Sequence, residues 1–215
     1  FNMDKSNAIE TNKVLNVLNM CYEKAVDGLP TSKSCYALAN EYLEKHKTPE
    51  RAIKEFIKWQ VAKCTTSGFV TSLGGILTLP VAIPANLTTV WYVQLRMIAT
   101  IAVLSGFDPT DDDVRTLAYI CLTGSSATKV FKEAGITTVT KITKNMIGKI
   151  PGTVLTKINQ KIGMRFITKF GTTGAVNLGK AIPVVGGIVG GGIDLVTTKV
   201  IAAKAKKIFL LDELD

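Results

Sequence analysis

The feature that most constrains this chain is a long uncharged stretch near its middle. Between Lys63 and Arg96 no side chain carries a formal charge, so residues 64–95 form a run of 32 residues (95 − 64 + 1). A helix that spans a membrane needs only about 20 apolar residues. A stretch that is apolar on nearly all sides has to be buried, either in a protein core or in a bilayer.

Two prolines divide this stretch. Pro80 and Pro84 break or kink a helix, and the glycine pair that precedes them weakens one. The pattern predicts a helical hairpin with arms at 67–79 and 85–105. We expect the hairpin to form the centre of a helical bundle rather than to insert into a membrane. The first arm would be about 20 Å long, which is too short to cross a bilayer alone.

Apolar residues at helical spacing predict further helices on both sides of the hairpin. Pro49 follows the hydroxyl of Thr48, as at the start of many helices, and Thr110 and Asp113 stand at capping-box spacing. No long stretch alternates with period two. We therefore predict an all-α, single-domain helical bundle around the apolar hairpin. Its other helices are expected at 8–26, 34–46, 49–64, 110–134, 153–170 and 194–211.

We divide this bundle into N-terminal amphipathic helices at 1–48 and a helical domain at 49–211, which we expect to form one compact unit. Asp4 to Thr11 are polar, so no signal peptide is predicted and a cytoplasmic location is expected.

Charge is distributed unevenly along the 215 residues, whose net charge is +9. Residues 1–131 carry 13 basic and 12 acidic side chains, whereas residues 132–207 carry 13 basic and 2 acidic side chains. A long basic segment is typical of proteins that bind phosphate groups, either of anionic lipid or of nucleic acid.

The helix predicted at 153–170 has a basic face beside an apolar face. Such a helix is a solvated surface helix or binds lipid headgroups; nucleic acid is less favoured, because base-stacking aromatic residues are not interleaved with the lysines. The candidate lipid- or phosphate-binding residues are Lys149, Lys157, Lys161, Arg165, Lys169, Lys204, Lys206 and Lys207.

Residue types needed for catalysis or for a metal site are scarce. His46 is the only histidine, and the four scattered cysteines lack CxxC spacing, which favours reduced, mostly buried thiols over zinc ligands or disulfides. The acids at 108–113 suit the first turn of a helix better than a cation site. The glycine-rich run 186–192 fits close helix packing better than a phosphate loop. No enzyme activity, metal or cofactor is predicted.

Arg96 directly follows the uncharged stretch. Burial of a lone guanidinium costs several kcal/mol, so we expect Arg96 to be partly buried and paired, either with an acid at 108–113 or with carbonyls at a helix end. The alternative is a side chain that extends to solvent.

Several segments resemble the EcsC family of bacterial proteins over roughly residues 50–210. They include Leu79-Pro80-Val81-Ala82-Ile83-Pro84-Ala85-Asn86, Gln94-Leu95-Arg96-Met97, Gly106-Phe107-Asp108, Asp111-Asp112, Lys149-Ile150-Pro151-Gly152, Thr168-Lys169-Phe170-Gly171 and Ile182-Pro183-Val184-Val185-Gly186-Gly187. The motif positions that we single out are Pro80, Pro84, Asn86, Gln94, Arg96, Asp108 and Asp111.

The resemblance implies a bacterial protein with a membrane connection. The family is named after a gene beside an ABC-transporter operon linked to protein secretion, so a membrane- or secretion-related protein partner fits. It has no settled biochemical activity, and it therefore supplies no catalytic residues.

Taken together, these features predict a non-enzymatic, peripheral membrane-associated protein that binds anionic phospholipid at the inner face of the membrane. One alternative is a soluble interaction module (an adaptor, regulator or immunity protein) that docks through residues 1–60. A second is a membrane-inserting or pore-forming protein, by analogy with the architecture of pore-forming colicins. An enzyme with a cleft at Asp111 to Asp113 or Arg96 is the least supported.

Overall fold

A computed structural model describes residues 5–64, 85–136, 145–170 and 195–210. These ranges hold eight helices and no strand, which confirms the predicted all-α fold. The helices are α1 (Lys5–Asp27), α2 (Cys35–His46), α3 (Pro49–Cys64), α4 (Ala85–Leu104), α5 (Asp112–Leu122), α6 (Ala127–Glu133), α7 (Gly152–Phe170) and α8 (Leu195–Phe209).

Helix α4 is the centre of the bundle. It packs against α1, α2, α3, α5 and α8, and every side chain from Thr88 to Ala102 is buried. A helix that is apolar on all sides is stable only when it is covered on all sides. The second arm of the predicted hairpin therefore forms the core, as expected. The first arm at 67–79, with Pro80 and Pro84, lies outside the described residues.

The short helices begin where the sequence supplies capping hydroxyls. The Ser34 side chain accepts a hydrogen bond from the Ala37 amide at the start of α2, and Ser126 accepts one from the Lys129 amide at the start of α6. The Thr48 hydroxyl accepts a long hydrogen bond of 3.4 Å from the Arg51 amide. These side chains satisfy amides that the first turn of a helix leaves without partners.

The prediction of a single helix at 110–134 is wrong in two respects. The chain leaves the helix at Thr123 and starts a new one at Ala127. Asp111, not Thr110, is the N-cap of α5, and the Thr110 hydroxyl donates instead to the Asp108 carboxylate at 2.7 Å. A local hydrogen bond within the turn thus replaces the expected capping box.

Helices α1 and α7 approach closely at Gly163. A methyl group added there would lie 2.7 Å from Thr11 Cγ2 and 3.3 Å from Leu15 Cγ. The absence of a side chain at this position allows α1 from the N-terminal part to pack directly on basic helix α7.

Within the described ranges, no helix is both long and apolar enough to cross a membrane.

Candidate membrane-binding surface

Among the described residues that follow α5, almost every charged side chain is basic. Between residues 123 and 210, Glu133 is the only acid among them. The bases are Lys129, Lys132, Lys149, Lys157, Lys161, Arg165, Lys199, Lys204, Lys206 and Lys207. Lys161, Arg165 and Lys204 are half-buried and the other seven are exposed. This excess of positive charge therefore lies mainly in solvent.

Most of these cations have no ion-pair partner among the described residues. Eight lysines form none: Lys129, Lys132, Lys149, Lys157, Lys199, Lys204, Lys206 and Lys207. We call this set the unpaired lysines. Exposed ammonium groups without neighbouring acids produce a positive potential that attracts anions.

Arg165 differs from the unpaired lysines. Its guanidinium donates to the Glu133 carboxylate and to the Ser125 hydroxyl, and its side chain is about one-quarter exposed (26 %). These bonds join α7 to α6. Arg165 thus has a structural role besides its contribution to the positive charge.

The turn between α5 and α6 lies beside both α7 and α8. On one side, Thr123 lines a cavity of about 220 Å³ together with Lys129, Arg165 and Phe166. On the other side, a methyl group added at Gly124 would lie 4.0 Å from Val200 Cγ1 of α8. Helices α7 and α8 both pack on α5. The structure therefore gathers Lys129, Arg165 and the first turns of α8 around this turn.

The predicted basic residues do not all lie together. Lys206 lines a cavity of about 500 Å³ between the last turns of α8 and the first turns of α3. Lys149 lines a separate, largely apolar cavity of about 230 Å³ that includes Phe131 and Ile150. The side chain of Lys169 lies outside the described residues. The sequence predicted one basic face, whereas the structure distributes these residues over several sides of the bundle.

Arg96 is buried, with 6 % of its surface exposed, as predicted. Its guanidinium donates to the Ser32 hydroxyl and, over 3.5 Å, to the carbonyl of Lys33 beside the N-cap of α2. The Tyr92 ring lies 5.7 Å away, and its hydroxyl also donates to Ser32. The shorter of these bonds is to the Ser32 hydroxyl, which was not among the expected partners, and the bond to the Lys33 carbonyl is long. Together they join Arg96 of the central helix to the residues that precede α2.

The other motif residues also serve the fold. The Asp108 carboxylate accepts hydrogen bonds from the Thr110 amide and hydroxyl and from the Tyr36 hydroxyl, at 2.7–3.1 Å. The Thr110 bonds, with a smaller part from Tyr36, lower the pKa of Asp108. Gln94 is buried in α4, and Asp111 caps α5 without a side-chain hydrogen bond. The side chain of Asn86 lies outside the described residues.

Asp113 has a role that the sequence analysis missed. It is 7 % exposed, and its Oδ2 accepts hydrogen bonds from the amides of Gly148 at 2.7 Å and Ile150 at 3.1 Å. A buried carboxylate needs such donors. Asp113 therefore fixes the turn that precedes α7, and the local pattern of acids at a helix start gave no sign of it.

The described cysteines are unsuited to nucleophilic chemistry. Cys21, Cys35 and Cys121 are buried and free, as predicted. Burial raises the pKa of Cys21 and of Cys35 to about 12, so both thiols are protonated at neutral pH, whereas the reactive form is the thiolate. Among the described residues no group of three or more His, Cys, Asp or Glu side chains is arranged to hold a metal ion.

Comparison with known proteins gives one family. The model of the EcsC protein family matches residues 3–211. The match extends the resemblance seen over residues 50–210 to the N-terminal helices. No curated protein and no solved structure matches the chain.

Proposed function

The chain belongs to the EcsC protein family, and we propose that it is a non-enzymatic protein that associates peripherally with anionic phospholipid at the inner face of a bacterial membrane. The observation that carries this proposal is the set of unpaired lysines. An exposed Lys near an anionic leaflet contributes about 1 kcal/mol to binding. Several such residues acting together give a substantial affinity without any deep ligand pocket.

The distribution of these lysines supports a membrane surface as the partner. They occupy α6, the turn before α7, α7 and α8 rather than one cleft. A small anionic ligand would be bound by a few convergent groups, whereas an anionic bilayer attracts every lysine within a Debye length of about 10 Å at 0.1 M salt. Exposed lysines that do not converge on one cleft fit the second partner better, and those on the side that faces the bilayer would supply the attraction.

The proposal is tested by flotation of the purified full chain with two kinds of vesicle. We expect the protein to float with vesicles that contain phosphatidylglycerol and to stay at the bottom with pure phosphatidylcholine. Equal flotation with both would contradict electrostatic binding. If the protein floats with neither kind of vesicle and a pull-down finds a stoichiometric protein partner, the alternative of a soluble interaction module is favoured. Dye leakage from the vesicles would favour a membrane-inserting protein.

A further inference from the structure

Two large apolar side chains are exposed in the region where α3 and α8 lie side by side. Trp59 of α3 is 54 % exposed and Val200 of α8 is 44 % exposed. Tyr36, another exposed aromatic residue, is explained by its hydrogen bond to Asp108. For Trp59 and Val200, no hydrogen bond to another described residue accounts for the exposure.

The antiparallel packing of the two helices places Trp59 and Val200 toward the same end of the bundle. The cavity of about 500 Å³ is lined by Glu50, Arg51, Lys54 and Glu55 of α3 and by Lys206 of α8 and Leu210, so the start of α3 lies beside the end of α8. Trp59 follows Glu55 by about 6 Å along α3, and Val200 precedes Lys206 by about 9 Å along α8. Trp59 and Val200 therefore both lie away from the cavity, toward the same end of the bundle.

Among the described residues, the charged side chains at this end are basic. Beyond Glu55, helix α3 contains Lys58 and Lys63 and no further acid, and α8 contains no acid at all. Lys63 and Lys199 are exposed, and Lys58 forms a weak ion pair with Glu55 at 3.7 Å. We call the surface formed by Trp59, Val200, Lys63 and Lys199 the Trp59 surface.

We infer that the Trp59 surface is the part of this protein that enters the headgroup region of an anionic bilayer, with Trp59 as the apolar anchor. Tryptophan favours the membrane–water interface, where its ring is in an apolar layer and its N–H reaches water. Flanking lysines complement anionic headgroups, and apolar residues beside basic ones are typical of helices that lie in the interface. The inference rests on the proposed function and adds the orientation of the protein on the membrane.

Tryptophan fluorescence tests this inference, because the chain has two tryptophans in opposite environments. Trp59 is exposed, whereas Trp91 is 3 % exposed and packs on Phe166, with ring centroids 5.2 Å apart. The Trp91→Phe variant leaves Trp59 as the only reporter, and the Trp59→Phe variant leaves Trp91. With phosphatidylglycerol vesicles we expect a blue shift and quenching by brominated lipid for Trp59, and no change for Trp91.

Affinity gives a second measurement that does not depend on changing the core. Trp59→Ser should weaken binding to these vesicles about tenfold, and the loss should persist in high salt, because apolar burial is not screened. Ile9→Ser is the matched control, since Ile9 is an exposed apolar residue on α1; it should bind like the unchanged protein.

The outcomes separate this inference from the proposed function. If the protein floats with anionic vesicles while Trp59 emission and the affinity of Trp59→Ser stay unchanged, the Trp59 surface is not the anchor and the proposed function stands. If the unchanged protein does not float with anionic vesicles, both are overturned.

Discussion

The pairing of charged side chains differs between the N-terminal helices α1 to α3 and the later helices α6 to α8. In the first region, four of the described lysines pair with nearby acids: Lys13 with Glu10, Lys33 and Lys45 with Glu41, and Lys58 with Glu55. In the second region, the only ion pair among the described residues is that of Arg165 with Glu133. Positive charge that is neutralised within the protein contributes little to the attraction of an outside anion, so we propose that the second region supplies most of the charge that attracts an anionic partner.

The largest effect is expected from reversing charges in the second region. Lys129→Glu, Lys132→Glu and Lys199→Glu together should weaken binding to phosphatidylglycerol vesicles at least about 100-fold, because each exposed lysine contributes about 1 kcal/mol. The melting temperature should stay nearly constant, since none of the three is paired among the described residues. Vesicle flotation and circular dichroism measure the two quantities.

The matched control reverses two charges in the first region. Lys33→Glu and Lys45→Glu remove the partners of Glu41 and should leave vesicle binding within a fewfold of the unchanged protein. Similar losses of binding in both variants would mean that net charge, rather than the second region, determines membrane binding.

A buried charge should affect the free energy of unfolding, whereas the surface lysines should affect vesicle binding. Asp113→Ala leaves the amides of Gly148 and Ile150 without their acceptor, so we expect the free energy of unfolding to fall by about 2 kcal/mol. Asp112→Ala, at the exposed neighbouring position, should change it by less than about 0.5 kcal/mol. Urea unfolding measures both, and equal values would contradict the assigned role of Asp113.

The contact between the two regions is tested at Gly163. Gly163→Ala introduces a methyl group 2.7 Å from Thr11 Cγ2, and this overpacking should lower the free energy of unfolding by about 1 to 3 kcal/mol. Gly152→Ala is the control, because nothing lies within 4 Å of the added methyl group. An unchanged melting temperature for Gly163→Ala would contradict the close approach of α1 and α7.

The smallest effect concerns the paired charges of the first region. Hydrogen bonds from Lys33 and Lys45 lower the pKa of Glu41 from 4.5 to about 2. A lowered carboxyl pKa stabilises the fold above the unfolded value, and this contribution is lost as the pH falls from about 4.5 toward about 2. It is small because the pair is exposed. NMR titration should find the low pKa, and Lys33→Ala with Lys45→Ala should return it toward 4.5.

Periodicity and capping residues predicted the helices well, because these signals are local. The Pro49 start of α3 and the fully buried α4 follow directly from the sequence pattern. The break at Thr123 was missed although Gly124, with its positive φ, and the Ser126 cap are local signals for it. The bonds of Asp113 were missed because they depend on residues that are distant in the chain. Gly148 is 35 residues from Asp113, and Glu133 is 32 residues from Arg165.

The same limit explains the candidate surface. The sequence identified an excess of basic residues but could not tell which of them are paired, since pairing depends on the fold. It also gave no reason to distinguish Trp59 from Trp91. Only the packing of α3 against α8 leaves Trp59 exposed beside basic residues.

The most direct test of the central claim is the dissociation constant of the full chain for phosphatidylglycerol vesicles as a function of salt concentration. Raising the salt from about 0.1 M to about 1 M shortens the Debye length from about 10 Å to about 3 Å. We predict tight binding at low salt that weakens steadily with added salt, with a smaller salt dependence in the Lys129, Lys132 and Lys199 reversal variant. Binding that is equally strong at every salt concentration, or no binding even at low salt, would contradict an electrostatic membrane interaction.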